Sequence, residues 1–302
     1  MAISRAQLLK ELVPGLNALF GLEYQRYPQE WMEIYDVEAS ERAFEEEQKL
    51  SGFGLARTKN EGSSVSFDNA QEVWTARYTH ETIALGFSIT EEAMEDNLYD
   101  SLSTRYTKAL ARSMAYTKDV KGAAILNNGF STYQTGDGVP LFSTAHPTVA
   151  GPTNANAPAV AVDLNETAIE AMTIQIAAWV DERNLLIAAK PKKLIIPPNL
   201  MFVAERLIKS RYRVGTTDND ISAMVAMNTI PEGYSVNHFL TGPYTWFVKT
   251  DVPDGAKHFQ RVAMKTSDEE DFVTTNYLYK ARERYSFGVS DPLGLWGTNP
   301  AT

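Results

Sequence analysis

The stretch EEAMEDNLYDSLSTRYTKALARSMAYTKDVKGAAILNN, Glu91 to Asn128, brings apolar or small side chains round at Met94, Leu98, Leu102, Tyr106, Leu110, Ser113, Tyr116 and Val120. Steps of three or four are the period of one amphipathic helix. Ser88 and Glu91 stand at capping-box spacing before it, with Thr90 as an alternative N-cap. Glu91, Glu92, Glu95, Asp96 and Asp100 fill the first turns, and Arg105, Lys108, Arg112, Lys118 and Lys121 follow, the order that suits the helix dipole. At 1.5 Å per residue the helix would run about 50 Å, longer than most globular domains require.

Upstream, SVSF (Ser64 to Phe67) and EVWTARYT (Glu72 to Thr79) read as two strands of a hairpin arm, and Arg42 to Leu50 as a short charged helix. Gly52, Gly54 and Gly62 mark turn-rich backbone between them. Trp74, Ala76 and Tyr78 share one face, whereas Ile83, Leu85, Phe87 and Ile89 alternate in the opposite phase. A strand shows one face to one core, so the switch near Glu81 takes the chain from one apolar environment into another. The second reads as a conventional core. The first belongs to an arm with little of its own to pack against, and an isolated hairpin is marginal in water. Trp74 and Tyr78 therefore ask for a neighbour.

Downstream, residues 129–162 are poor in charge and rich in Gly, Pro, Asn, Thr and Ala, a connection long enough to link two domains. DLNETAIEAMTIQIAAWVDERN then places Ile169, Met172, Ile176, Trp179 and Val180 on one helical face, with Asp163 and Glu166 at capping-box spacing. KKLIIPP is a short buried strand stopped by Pro197 and Pro198, and NLMFVAERLIKS is another helix. YSVNHFL and YTWFVKTD, joined through Thr241, Gly242 and Pro243, read as a hairpin, and DFVTTNYLYKARERYSFGVSDP as a longer extended run. Helices and strands mix without a strict βαβ rhythm, which makes the fold class α+β.

A chain of 302 residues that is 44% hydrophobic can bury a substantial core in one large domain or two ordinary ones. No apolar run approaches the ~20 residues that cross a bilayer, and the opening MAISRAQLLKELVPGL lacks the features of an export signal, so a soluble, unexported protein is expected. Without cysteine there are no disulfides and no thiolate metal sites. The net charge of −10 is unevenly placed, because residues 1–100 carry 8 basic and 19 acidic side chains, a balance of −11. Nucleic-acid binders show the opposite sign. EASERAFEEEQK reads as a solvated helix face.

Asp137, Ser143 and His146 fall within ten residues in GDGVPLFSTAHP, and a Ser-His-Asp triad is defined by geometry rather than order. The serine lacks a G-x-S-x-G elbow, and the loop has few rigid features to hold three side chains in place. In the simpler reading Gly136, Asp137 and Gly138 turn the chain, Leu141 and Phe142 anchor it, and His146 closes the excursion. His80, His146, His238 and His258 are never paired at i, i+4, so no metal centre is expected. Asp218 to Asp220 and Asp268 to Asp271 are acidic turns without the EF-hand pattern. Gly52 and Gly54 begin a G-x-G whose third glycine is replaced by Arg57, and no P-loop occurs, so no cofactor is expected. What stands out is shape: an acidic N-terminal segment, an arm without a core and an overlong helix. Extended parts gain stability when another copy covers them, which points to assembly.

The segments YTHETIALGFSIT before the long helix, DGVPLFSTAHP after it, PKKLIIPP followed by a helix, FVKTDVPDGAKHFQR, and above all DEEDFVTTNYLYKARERYSFGVSDP come in a telling order. From about Glu61 to the end the chain resembles the major capsid proteins of tailed bacteriophages with the Hong Kong 97-type fold, and among them the major head subunits of Mu-like prophages. The resemblance implies an N-terminal arm (1–40), an extended hairpin loop (41–80), a peripheral domain with a long spine helix (81–160 and 245–302) and an axial domain (161–244). It implies a major capsid protein whose pentamers and hexamers close an icosahedral shell around double-stranded DNA, without sequence-specific binding, membrane contact or catalysis. A separate scaffolding protein, a portal and a decoration protein are the partners it implies, and the virion, assembled in the host cytoplasm, the location. Gly52, Gly54 and Gly62 become pliable joints, and Trp74 and Tyr78 the assembly face of the arm.

Some relatives weld their subunits by an isopeptide bond between a hairpin-loop lysine and a peripheral-domain asparagine. Here Lys59 falls near the lysine position and Asp271 occupies that of the asparagine, so no such bond is expected. Two other readings stay open: an encapsulin-like nanocompartment shell holding a cargo enzyme, and, last, a hydrolase built on Ser143 and His146.

Overall fold

The computed structural model describes residues 5–90, 92, 99–212, 221–271 and 273–300, with the side chains of 5–14 and 99–102 left aside. Helix α1 (Arg5–Arg26) and a 3-10 turn (Glu30–Glu33) lead into β1 (Asp36–Ala39), β2 (Phe44–Leu50), β3 (Glu72–Thr79) and β4 (Glu81–Ile89). The long helix α2 (Tyr99–Asn128) is followed by the two-residue strands β5 (His146–Pro147) and β6 (Thr153–Asn154), α3 (Glu166–Ala177), β7 (Pro191–Ile196), α4 (Met201–Lys209) and the short α5 (Ala223–Ala226). β8 (Tyr234–Val236), β9 (Trp246–Thr250), β10 (Ala256–Glu270), β11 (Tyr277–Val289) and β12 (Leu295–Thr298) complete an α+β fold.

One sheet has the order β1-β10-β11-β4. Along β11 burial alternates, with Tyr277, Tyr279, Ala281, Glu283 and Tyr285 turned inward. Their face packs against Leu110, Ala111 and Met114 of α2 and Leu16 and Phe20 of α1. Helix α2 is present with 30 residues, about 45 Å of rise; the expected cap partner Glu91 and the turns at 93–98 lie outside the described residues. Its inner stripe is not the expected one. Tyr106, Tyr116 and Val120 are 48%, 58% and 40% exposed, while Ser103, Thr107, Lys118 and Asp119 are buried. Small residues let the helix lie close on the sheet, and the two buried charges have dedicated partners. Lys118 meets Glu283 at 3.3 Å, and Asp119 accepts from the Trp31 N–H at 3.1 Å.

The second sheet runs β12-β9-β7-β8. β7 is central because Leu194, Ile195 and Ile196 are fully buried on both faces. For the same reason the expected hairpin of YSVNHFL and YTWFVKTD does not form: β8 pairs with β7 in parallel and β9 pairs with its other edge. α3 lays Ile169, Met172 and Ile176 on this sheet beside Trp246 and Trp296. Its N-cap is Asn165, whose side chain accepts from Ala168 N, rather than Asp163. The expected boundary at 244/245 falls between β8 and β9, which share this sheet through β7.

Residues 129–162 do not form a loose link. Leu141 and Phe142 are buried in a cluster with Leu126 of α2, Phe247 of β9 and Leu295 of β12, which joins the two sheets.

Candidate assembly surfaces

The hairpin arm exists, but its first strand is β2, the segment expected to be a charged helix, and Ser64 to Phe67 is not a strand. Burial along β2 alternates with period two rather than 3.6. Glu45, Glu47 and Lys49 turn toward the body and Phe44, Glu46 and Gln48 away from it. Glu45 accepts from Ser40 Oγ at 2.7 Å. Glu47 meets Lys257 Nζ at 2.5 Å, and that ammonium also reaches Asp254 at 2.8 Å and Glu38 at 3.0 Å. Burial opposes the charge of Lys257, but hydrogen bonds to Asp254, Glu47 and Glu38 outweigh it and hold its pKa above the ordinary lysine range. Lys49 pairs with Asp291, and Ser290 Oγ with Glu47.

On β3, Ala76 and Tyr78 are buried against Phe259, with Trp74 half-buried beside them. This corrects the expectation that the face of Trp74 and Tyr78 needs a neighbour. Tyr78 lies on Gly288, where an added Cβ would come within 2.4 Å of its ring, and its hydroxyl pairs with Ser290. Trp74 covers Gly136 in the same way. The root of the arm is therefore part of its own subunit.

Beyond the root the arm is bare. Residues 51–71 contain no helix or strand, and Phe53, Leu55, Val65 and Phe67 are 63%, 82%, 60% and 96% exposed. Gly52 and Gly62 take φ of 65° and 79°, a left-handed conformation open to glycine at little cost. Gly54 has ordinary backbone, and its N–H donates to Asp68 at 2.8 Å. Arg183, in the turn after α3, donates to Asn69 O at 2.5 Å and stands 3.9 Å from Asp68. Lys59 is exposed in the bare part, and Asp271 sits at the β10–β11 turn, where it accepts from Thr274 Oγ at 2.6 Å and Val273 N at 3.2 Å. These hydrogen bonds lower the Asp271 pKa, Thr274 contributing most.

Asp137 and His146 do come together, with Nδ1 and Oδ2 2.6 Å apart in a buried site. The other ring nitrogen faces Leu141 O at 3.2 Å and Asn156 Oδ1 at 3.1 Å. Asn156 is oriented by donating to Leu141 O, Pro292 O and Leu295 O. Its Oδ1 is thus an acceptor, and His146 Nε2 must donate to it. A base for serine needs that nitrogen free, and Ser143 Oγ instead accepts from Ala145 N at 3.2 Å. Burial works against the charge on Asp137, yet His146, Thr135 and Val139 together lower its pKa. The cluster ties the post-helix loop to the turn before β12. Asn156, Lys257 and Arg183 carried no motif, and the run of glutamates in β2 gave no sign of which ones turn inward.

Similarity to known proteins follows this architecture. Solved structures that resemble the chain include a virus-like particle from Pyrococcus furiosus (TM-score 0.56, 11% identity, 94% of this chain and 97% of that one). The capsid of a native GTA particle gives 0.56 at 12% identity, over 92% and 91% of the two chains. The capsid of the cyanophage P-SCSP1u gives 0.57 at 12%, over 89% and 87%. At such identities the likeness shows the fold, which is that of the Hong Kong 97-type capsids. No curated protein sequence matches the chain. The family model described as phage capsid protein matches residues 72–297, from the first residue of β3 to β12, and the chain belongs to the phage capsid proteins.

Proposed function

We propose that this chain is the major head subunit of a tailed phage or prophage of Mu-like type, and that its pentamers and hexamers close an icosahedral shell around double-stranded DNA. The bare apolar stretch 51–71 carries the reading: four large side chains held in water at the end of a rooted arm are stable only when another subunit covers them. Residues 1–40 serve as the N-terminal arm and 41–80 as the extended loop. The sheet of β10 and β11 with α2 makes the peripheral domain, and residues 161–244, with β9 and β12 added to their sheet, the axial domain. Gly52 and Gly62 are the joints that let one sequence fit unequal neighbours.

The acidic balance suits a container whose genome must leave, since a lining without excess cations releases few counterions from DNA. A separate scaffolding protein, a portal and a decoration protein complete the assembly in the host cytoplasm. Asp271 supports a shell without Lys59 isopeptide bonds, because its carboxylate already holds the turn.

Electron microscopy of the purified protein tests the reading: closed shells of uniform size are expected, and a compact single molecule at high concentration refutes it. A cargo enzyme inside in place of DNA would favour the nanocompartment. Covalent ladders on a denaturing gel of mature shells would refute the absence of cross-links.

A further inference from the structure

Beyond its root the arm is bonded to its own subunit at one point. The root is closed by Ser51 and Gln71, with Ser51 N donating to Gln71 O at 2.9 Å and Gln71 N to Ser51 Oγ at 3.0 Å. Past it the two limbs are tied to each other by Asp68 of the return limb, whose carboxylate accepts from the Gly54 N–H of the outgoing one at 2.8 Å. Among the described residues, the hydrogen bonds and ion pairs of residues 53–70 stay within the arm, except those made with one side chain. Arg183 donates to Asn69 O at 2.5 Å and stands 3.9 Å from Asp68. Only Gly52 and Phe53 on one limb and Ala70 on the other separate the root from this second tie. Two fixed points, root and tie, set the direction in which both limbs leave the body.

Arg183 reaches the arm from a stiff place. In the turn after α3, Asp181 N donates to Leu185 O at 2.8 Å and Asn184 N to Asp181 O at 3.1 Å. The Asp181 carboxylate accepts from Arg183 N at 2.9 Å and from Leu185 N at 2.8 Å. Asn184 takes the left-handed φ of 65° that closes the turn. Glu182 fastens the turn to the loop after α2, accepting from Val149 N at 3.1 Å through its side chain and from Ala150 N at 3.0 Å through its carbonyl. The Arg183 side chain is 26% exposed, so part of its rotamer freedom is already gone before it holds anything. Its planar fork meets a carboxylate and a carbonyl on consecutive residues, a geometry that an ammonium does not match.

We propose that Arg183 is a positioning residue for the arm, and that its hold on Asp68 and Asn69 aims the apolar tip in one direction before another subunit arrives. With the root alone, the limbs would swing about Gly52 and Ala70. Aiming the tip beforehand lowers the ordering cost of the contact that covers it. The aim is a property of the single subunit, and its use in assembly rests on the shell reading.

Distances between two spin labels test it. The chain has no cysteine, so Val65→Cys in the arm and Ile174→Cys on α3, both at exposed positions, take labels at those two sites alone. One narrow distance distribution is expected in the unassembled subunit. Arg183→Ala is expected to spread it over roughly 10–15 Å, the reach of a flexible chain of about six residues between the label and the root. Asp68→Ala, which unties the limbs from each other and from Arg183, is expected to broaden it as well. Arg183→Lys keeps a donor for Asn69 O and is expected to restore most of the narrowness. A distribution that stays narrow in both alanine variants, or is already broad in the unaltered arm, overturns the assignment. Absence of shells from the unaltered protein, with the narrow distribution intact, would instead sink the shell reading and leave the aim of the arm standing.

Discussion

Lowering the pH from 7 to 5 should act on this fold chiefly through one imidazole. His258 of β10 is fully buried, and neither ring nitrogen finds a partner outside its own residue among the described ones. Its ring lies 4.3 Å from that of Trp31, 4.6 Å from Phe287 and 5.4 Å from Tyr285. Burial, and next the Lys118 ammonium, push its pKa from 6.5 down to about 3. The unfolded chain takes up the proton near 6.5 and the folded chain does not, so this stability is complete above pH 6.5 and is lost as the pH falls toward 3. Between 6.5 and 5 the loss amounts to about 2 kcal/mol at 1.36 kcal/mol per pH unit.

Other groups near the cluster titrate too. Asp119 on α2 is pushed up to about 6, chiefly by burial, so acid stabilises the fold there and offsets about 1 kcal/mol. His80 is depressed by burial and then by Arg284, and acts in the same sense as His258. Both terms cancel when the protein is compared with His258→Phe, which keeps the ring contacts and removes two unpartnered nitrogens. Urea unfolding at pH 7 and pH 5 should show the variant at least as stable at pH 7. It should also lose about 2 kcal/mol less on acidification. An identical pH dependence in the two proteins would refute the assignment.

The buried pair of Lys118 and Glu283 predicts a sharp asymmetry: Lys118→Met alone should cost about 3–5 kcal/mol, and Lys118→Met with Glu283→Leu should recover most of it in the same urea assay. Gly288→Ala should displace Tyr78 and cost about 1–3 kcal/mol, with faster hydrogen exchange along β3 as the specific readout. Asn156→Ala strips partners from Leu141 O, Pro292 O, Leu295 O and Ser143 N, and a loss of about 3 kcal/mol in thermal unfolding is expected. Limited proteolysis should cut the unassembled chain within 51–71 and spare that stretch in shells; equal cutting in both states would show that no subunit covers it.

The α+β class, the long helix, β7 with its proline stop and the phase switch at Glu81 were all legible because each follows from the local spacing of apolar residues. The errors share a cause. β2 looked helical because its glutamates were taken as solvent-facing, whereas alternate ones meet Lys257 and Ser40, which come from other parts of the chain. The inner stripe of α2 was misjudged because it buries Ser103, Thr107, Lys118 and Asp119 and leaves Tyr106 and Tyr116 outside. Periodicity weighs hydrophobicity alone, and a buried charge with a partner hundreds of positions away in sequence is invisible to it.

The same blindness separates folding from assembly in this chain. A misplaced charge or an exposed aromatic in a sequence has two explanations, a distant partner in the same chain or a partner in another. Only the fold tells them apart. Trp74 and Tyr78 looked like assembly residues and prove to be internal, resting on Gly136 and Gly288. Phe67 and Leu55, on the same arm, stand almost wholly in water. Lys257 holds three carboxylates of its own subunit, while Lys265, eight residues on in the same strand, faces Arg282. Among the described residues, Phe53, Leu55, Val65 and Phe67 of the arm stay in water, and in the proposed shell these are the side chains for another copy to cover.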